Sequence, residues 1–400
     1  AVMAIGEVVV TNVKGEPINE MSTISAKSFS VEETKRYAAS IGDPARMAQN
    51  FAGVSTGDDA SNEIIIRGNS PNWLLWRLEG VEIPSPNHFS EEGGSAGAVS
   101  ILSTNMLDVS DFYSGAFSAE FGNALSGVFD IRLRNGNNQE YEYSAQLGVL
   151  GLELAAEGPF KKGYNGSFLV NYRYSTLAIL NNLNIQVSEN ALPEYQDLSL
   201  KVNLPTKKAG TFSIWGIGGS SSTNEEYFPD TTLGEEYKYG YIDNTTTGMY
   251  AVGLTHTIFT DSRSFVKTVI SSSGSQSSQT YNQMDTLGVM NEDFYDDLQS
   301  SAIRLNSFYN RKISSKLTVR GGLILSHSRY NYFTHRKDSL YNWQTEINGK
   351  GNTNQYQFYA QGKYKFTDKL VLTAGLQYMY FELNKDNSIE PRIGLTYELP

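Results

Sequence analysis

The sequence predicts a compact α+β domain followed by an antiparallel transmembrane β-barrel of about 12 strands, and three observations carry that prediction. The second part of the chain alternates apolar and polar residues with strict period two over runs of ten or more residues. Tight polar turns alternate along it with links of about twenty residues, beyond ordinary hairpin length. Tyrosine and phenylalanine gather toward the strand ends, where an interfacial girdle would place them. A soluble β-sandwich or propeller also alternates, but its strands are usually about 5–6 residues long.

Composition narrows the function classes. The 400 residues carry 32 Lys+Arg against 43 Asp+Glu, a net charge of −11, which argues against a nucleic-acid partner because phosphate neutralisation needs clustered cations. No cysteine is present, so disulfides, zinc–thiolate sites and cysteine nucleophiles are excluded. The 25 tyrosines, 19 phenylalanines and 36 glycines favour strands over amphipathic helices. The sequence has no run of 18 apolar residues, and "AVMAIGEVVVTN" lacks the regions of a secretory signal, which leaves either a cytoplasmic chain or a mature form of an exported one.

Along the chain, "EVVVT" (Glu7, Val8, Val9, Val10, Thr11) is a short strand-like run, and the polar tether "NVKGEPI" follows it. "SVEETKRYAASIGDPARMAQNFAGV" offers a helix capped at Ser30 with Glu33 at the capping-box position, and Asp43–Pro44 end it or start a second short helix. From "EIIIRG" to "GVFDIRLRNG" short strands alternate with Gly/Asn/Ser loops. Three segments result: 1–20 as strand-like segment and tether, 21–138 as the α+β domain and 139–400 as the barrel.

The barrel begins with "YEYSAQLG" and "GLELAAEG", a hairpin with a tight turn near Val149. In "QYQFYAQGKYKF" the positions Tyr356, Phe358, Ala360, Gly362, Tyr364 and Phe366 are apolar or small, while Gln355, Gln357, Gln361, Lys363 and Lys365 are polar. "GSFLVNYRY", "DLSLKVNL", "KLTVRGGLIL" and "KLVLTAGLQYMY" repeat the pattern, so one face meets lipid and the other water. "GPFKKG", "LPTKKAG", "FTDSRS", "NRKISSK" and "FTDK" are the tight turns, and the long loops are expected over 224–244, 282–297 and 334–354.

This arrangement resembles the TonB-dependent outer-membrane receptors, in which a plug domain sits inside a 22-stranded barrel. "EVVVT" resembles the TonB box, "EIIIRG" the family's IRG strand, "LEGVEI" its Leu-x-Asp-Gly-Val strand and "SAEFGNALSGVFDIRLRNG" its closing YG-x-x-x-x-GG-V-x-x-I segment. The likeness covers the whole chain in architecture and about residues 5 to 136 in motif, and in detail it is nearest the Bacteroidetes type, which often carries a further β-domain with its exit just before the box. "DFYSGAF" departs from the usual Arg-Gly-Pro, and Glu79 stands in place of the common Asp. The resemblance implies an outer-membrane location and energised uptake of a nutrient ligand into the periplasm. Its implied partners are TonB through Glu7 to Thr11, outer-membrane lipid, the unidentified nutrient ligand and a surface lipoprotein. Neither catalysis nor a cofactor is implied. At about 22 residues per strand with its connection, a 22-stranded barrel needs roughly 220 residues more, so the present strands are expected to form an open curved sheet around the plug.

Candidate site residues follow from this reading. The box pairs edge to edge with a partner strand, the alternative being a plain edge strand. Arg67 follows three β-branched residues and is expected to be buried, where it needs carboxylates; Glu120, Glu153 and Glu157 are its candidate partners in a plug latch, the alternative being plug carbonyls. Pro86, Asn87, His88 and Phe89 are expected at the plug apex, lining a ligand cavity, with Asp58 and Asp59 on a second apical loop. At least one of Trp73 and Trp76 belongs to the plug core.

"GGSAG" matches a nucleophile elbow in form but lacks the strand before it and the helix after it, and the four histidines show no metal-ligand spacing. "NEEYFPDTTLGEEY" and "NEDFYDD" are read as a solvated face or, less simply, as calcium ligands. Two other function classes remain: a passive or adhesive outer-membrane barrel, which gains nothing from a box, and a secreted β-rich hydrolase or glycan-binding domain, which would stay soluble without detergent.

Overall fold

The computed structural model describes residues 17–22, 25–30, 43–57, 61–148, 151–176, 179, 193–228, 240–285, 288–338 and 340–399. The first domain contains β1 (Ala26–Phe29), a helix Pro44–Ala48, β2 (Val54–Ser55), β3 (Ile65–Ile66), β4 (Leu74–Leu78), β5 (Val81–Glu82), β6 (Asn87–His88), β7 (Val99–Ser100), β8 (Ser110–Tyr113) and β9 (Gly127–Ile131). Its central sheet runs in the order β1-β8-β9-β4-β5, with β4 and β9 parallel. Asp43 and Pro44 start the short helix: the Asp43 carboxylate accepts from the Ala45 N–H and the proline occupies the first turn. The longer helix expected from Ser30 lies outside the described residues.

Both faces of this sheet are covered, so "LLWRL" in β4 is buried throughout instead of alternating. Trp76 stacks on Phe129 at 4.7 Å, and Phe112 and Phe29 pack on the same ring at 4.8 and 5.7 Å. Trp73, one turn earlier, is half exposed, so of the two tryptophans Trp76 is the core residue. Glu79 and Gly80 close the β4–β5 hairpin with φ of 54° and 96°, as a two-residue turn with the twist of the flanking strands requires.

The second domain is a 12-stranded antiparallel sheet in sequence order. Its strands are β10 (Glu142–Leu147), β11 (Leu152–Pro159), β12 (Ser167–Tyr174), β13 (Glu194–Pro205), β14 (Thr211–Tyr227) and β15 (Tyr241–Asp261), then β16 (Ser264–Met284), β17 (Met290–Lys312), β18 (Leu317–Lys337), β19 (Trp343–Lys365), β20 (Leu370–Phe381) and β21 (Asp386–Tyr397). Among the described residues β10 and β21 have no ladder between them, so the sheet is open.

Its burial is inverted relative to a water-soluble sheet. Phe358, Ile270, Ile303 and Leu376 are exposed, while Gln357, Gln377, Asn171 and Asp197 are buried. The exposed stripe needs hydrocarbon and the buried polar stripe meets the plug, for example through the Ala119 N–H donating to Gln361 at 2.9 Å.

One expectation is corrected. The segments 282–297 and 334–354 are mostly strand: β16 runs to Met284, β17 starts at Met290, β18 ends at Lys337 and β19 starts at Trp343. Strands of 21 to 23 residues exceed the ~9–11 needed to cross a bilayer, so their distal halves stand in water with polar residues on both faces, which hides the period-two signal.

Candidate functional site

The plug touches the barrel wall at two levels. Toward the ends joined by the short turns, the β4–β5 turn reaches β13. Glu79 accepts from Lys201 Nζ at 2.8 Å and from the Leu133 N–H at 2.8 Å, and Asn306 donates to the Gly80 carbonyl at 2.6 Å. Burial pushes the Glu79 carboxyl up, but the Lys201 and Lys267 ammonium groups and these hydrogen bonds hold it below the usual carboxylate range.

Beside it, Glu120 accepts from Arg320 Nη1 of β18 at 3.0 Å and from Arg77 Nη1 of β4 at 3.5 Å, all three side chains being buried. Burial raises the Glu120 carboxyl, and the two guanidinium groups together with the Asn19 amide bring it below the carboxylate range.

Glu120 is therefore the plug carboxylate of an ion cluster that crosses to the barrel, but Arg67 is not its cation. Arg67 is exposed, with φ of 51°, in the turn after β3, where its side chain lies beside Gly53 and Gly115. Its other two candidate partners are taken: Glu153 accepts from Ser103, Asn105 and Asn171, and Glu157 pairs with Arg134 at 2.6 Å. The β-branched run "III" signals burial of the strand, not of the residue that ends it. Arg77, inside "LLWRL", is the buried plug guanidinium.

At the upper level the loop between β5 and β7 is tied down at its base. Asn87 is buried, accepts from Asn62 at 3.2 Å and donates to the Ser95 carbonyl at 3.2 Å, while Asp43 takes the Asn62 amide at 2.7 Å and the Ser100 N–H at 3.0 Å. Gly97, at φ 150°, lies so close that a Cβ would stand 2.4 Å from the His88 carbonyl oxygen. His88 Nε2 hydrogen-bonds Asp197 Oδ2 of β13 at 3.0 Å, and Arg173 of β12 donates to the same carboxylate at 2.8 Å. The His88 ring packs on Tyr195 at 4.5 Å and Phe89 packs edge-on against it at 6.3 Å.

His88 and Phe89 thus anchor the loop to the wall, the imidazole drawn to a carboxylate already held by Arg173 and the Phe89 N–H donating to Ser221, while the Pro86 carbonyl accepts from Ser100 and Ile101 within the plug, and none of the three lines the cavity beside the loop. Asn87 alone of the four reaches the cavity of about 270 Å³ that opens beside the loop. Glu82, Glu91 and Glu92 line it from the plug, and Met249, Ser300 and Arg304 from the wall. Glu92 accepts from Tyr332 at 3.2 Å and from Ser275, and Arg304 faces Glu82 at 3.6 Å. A neighbouring cavity of about 360 Å³ shares Pro84 and adds Ser328, Arg329 and Tyr330. Composition gave no direct sign of these residues beyond the "SEEGG" of the loop. Glu7 to Thr11, Asp58 and Asp59 lie outside the described residues.

Burial pushes the His88 imidazole below its ordinary value of 6.5, against the opposing pull of Asp197. A histidine lowered in the fold contributes stability that is present above its unfolded value and is lost as pH falls. The plug is accordingly expected to lose resistance to urea as pH drops from 7 to 5, with His88→Gln flattening that slope. Equal slopes in both proteins would remove His88 as the cause.

Two family models match this chain. The model described as TonB dependent receptor-like, beta-barrel, covers residues 188–400, and the TonB-dependent Receptor Plug Domain model covers residues 19–128. No curated protein sequence matches. Among solved structures, a mutant of the ferric enterobactin receptor from Pseudomonas aeruginosa superposes with a TM-score of 0.64 at 12% identity, covering 95% of this chain and 60% of its own. The siderophore receptor PirA from Acinetobacter baumannii gives 0.63 at 15% identity, with 94% and 59% covered. The outer membrane transporter YddB from Escherichia coli gives 0.59 at 12%, with 92% and 58% covered. At these identities the likeness is one of fold, and the chain spans about 60% of the length of the structures it matches.

Proposed function

The chain belongs to the TonB-dependent receptor family, and on that premise we propose that it serves energised uptake of a nutrient ligand across the bacterial outer membrane, where the family resides. One observation carries the reading: the ligand-sized cavity and the docked N-terminal segment meet the barrel wall at different levels of its strands. The cavity meets the wall at Met249, Ser275 and Ser300, midway along β15, β16 and β17. The N-terminal segment meets Arg320 and Lys363, beside the short turns that flank β18 and β19. Ligand binds above, the strand at Glu7 to Thr11 is captured by TonB below, and the plug rearranges between them. No bond of the ligand is made or broken.

The cavity lining supports a ligand class. Glu82, Glu91 and Glu92 share the lining with the guanidinium groups of Arg304 and Arg329, with the hydroxyls of Ser275, Ser300, Ser328, Tyr330 and Tyr332, and with apolar Trp76, Ile83 and Met249. Such a lining favours a neutral polyhydroxylated or a cationic ligand over a polyanion.

The absence of native cysteine makes the coupling directly testable. A single cysteine replacing Val9 is expected to form a disulfide with a cysteine placed in the periplasmic domain of TonB, since edge-to-edge pairing sets the two chains about 4.7–4.9 Å apart. A scan of positions on both strands that yields no cross-link would overturn the box assignment.

A further inference from the structure

The segment that leads from the box into the plug is not loosely attached. Before the first plug strand, the Ile18 and Asn19 N–H groups donate to the two oxygens of Asp111, each at 3.0 Å. The Asn19 side chain then enters the ion cluster described above: its Nδ2 donates to Glu120 Oε1 at 2.6 Å and its Oδ1 accepts from Arg320 Nη1 at 2.8 Å. Arg320 Nη1 itself donates to Glu120 Oε1 at 3.0 Å, so amide, carboxylate and guanidinium close a triangle. All three residues are buried. One residue further on, Lys363 Nζ of β19 donates to the Glu20 carbonyl at 2.8 Å.

We propose that Asn19 is the positioning residue that couples tension on the N-terminal segment to release of the plug from the barrel wall. Tension applied upstream reaches the Ile18 and Asn19 N–H bonds to Asp111, and with them the Asn19 side chain, before it reaches β1. Displacing that side chain strips one acceptor from Arg320 and one donor from Glu120 at one of the contacts that join plug to barrel. The remaining Arg320–Glu120 pair is opened to water from the side Asn19 covered, and an ion pair loses most of its strength when its site is wetted. Pull and unlatching thus share one residue. Glu120 and Arg320 alone would hold plug to wall without sensing the tether; Asn19 supplies the connection.

The inference rests on the uptake reading for its purpose but not for its test, which needs neither ligand nor TonB. A unique cysteine replacing Asn12 provides a handle for single-molecule pulling on the full chain in a bilayer. The unmodified cluster is expected to give a first force peak at the release of residues up to β1, and Asn19→Ala is expected to lose that peak. Arg320→Met should lose it too, and the double variant should show no further change, because both remove one triangle. Hydrogen exchange of β9 reports whether the plug itself stays folded. Should Asn19→Ala raise it, Asn19→Ser, which keeps an oxygen for Arg320, carries the comparison. A first peak unaltered by the Asn19 substitution, or additive losses in the double variant, would overturn the proposal, and either result would leave the uptake reading standing.

Discussion

Glu120→Ala is expected to weaken the plug's hold on the barrel wall at a cost of about 3–5 kcal/mol, the range for removing one partner of a buried ion pair. Arg77 and Arg320 share this carboxylate, and both guanidinium groups are buried. Alanine leaves the Arg320 charge facing Asn19 and Asn310, amides that cannot neutralise it. Arg77 keeps Asp130, but only at 4.0 Å. The Glu120 carboxyl is held below its usual range, so its contribution is present above the unfolded value of 4.5 and is lost as pH falls through the lower folded value. The difference between Glu120→Ala and the unmodified protein should therefore shrink in strong acid. Hydrogen exchange of β4 and β9 during urea unfolding reads both quantities, and a loss below about 1 kcal/mol, the range of exposed pairs, would contradict the buried cluster.

The second large effect is expected inside the plug. Phe129 is fully buried at the centre of Phe29, Trp76 and Phe112, and Phe129→Ala removes the ring on which all three pack. Large-to-small changes of this kind cost about 3–5 kcal/mol, because a rigid sheet cannot collapse into the space. The damage should be confined to one domain. Hydrogen exchange is expected to rise in β4, β8 and β9 and to stay unchanged in β15 to β19, whose ladders do not involve Phe129. A uniform rise across the barrel strands would show that plug and barrel form one cooperative unit.

The same distinction explains what the sequence revealed. Alternation in β19 was legible because Tyr356 and Phe358 face lipid while Gln357 and Gln361 face the plug, two solvents of opposite polarity acting on one strand. The distal halves of β16 and β17 have water on both sides, so the pattern vanished and the strands read as loops. Arg67 and Arg77 both follow apolar runs, and only backbone conformation separates them: φ of 51° at Arg67, an extended central strand at Arg77.

His88 sits in a Pro/Asn-rich loop, which reads as exposed. Its burial depends on Asp197, a residue 109 positions away, and on the β12–β13 register that sets Arg173 opposite that carboxylate. No local signal encodes that meeting. Asn19 belongs to the same class, since its partners Glu120 and Arg320 lie 101 and 301 positions along the chain.

Coupling through the box is read by energy-dependent accumulation of whatever small molecule co-purifies with the detergent-solubilised receptor, compared between the unmodified chain and Val9→Pro. Proline removes a ladder N–H and fixes φ, so a strand captured through its backbone cannot pair. Val9→Pro is expected still to bind the recovered molecule, in the cavity between plug and wall, and no longer to accumulate it in the periplasm. Accumulation at the unmodified rate in Val9→Pro would show that uptake does not run through capture of Glu7 to Thr11.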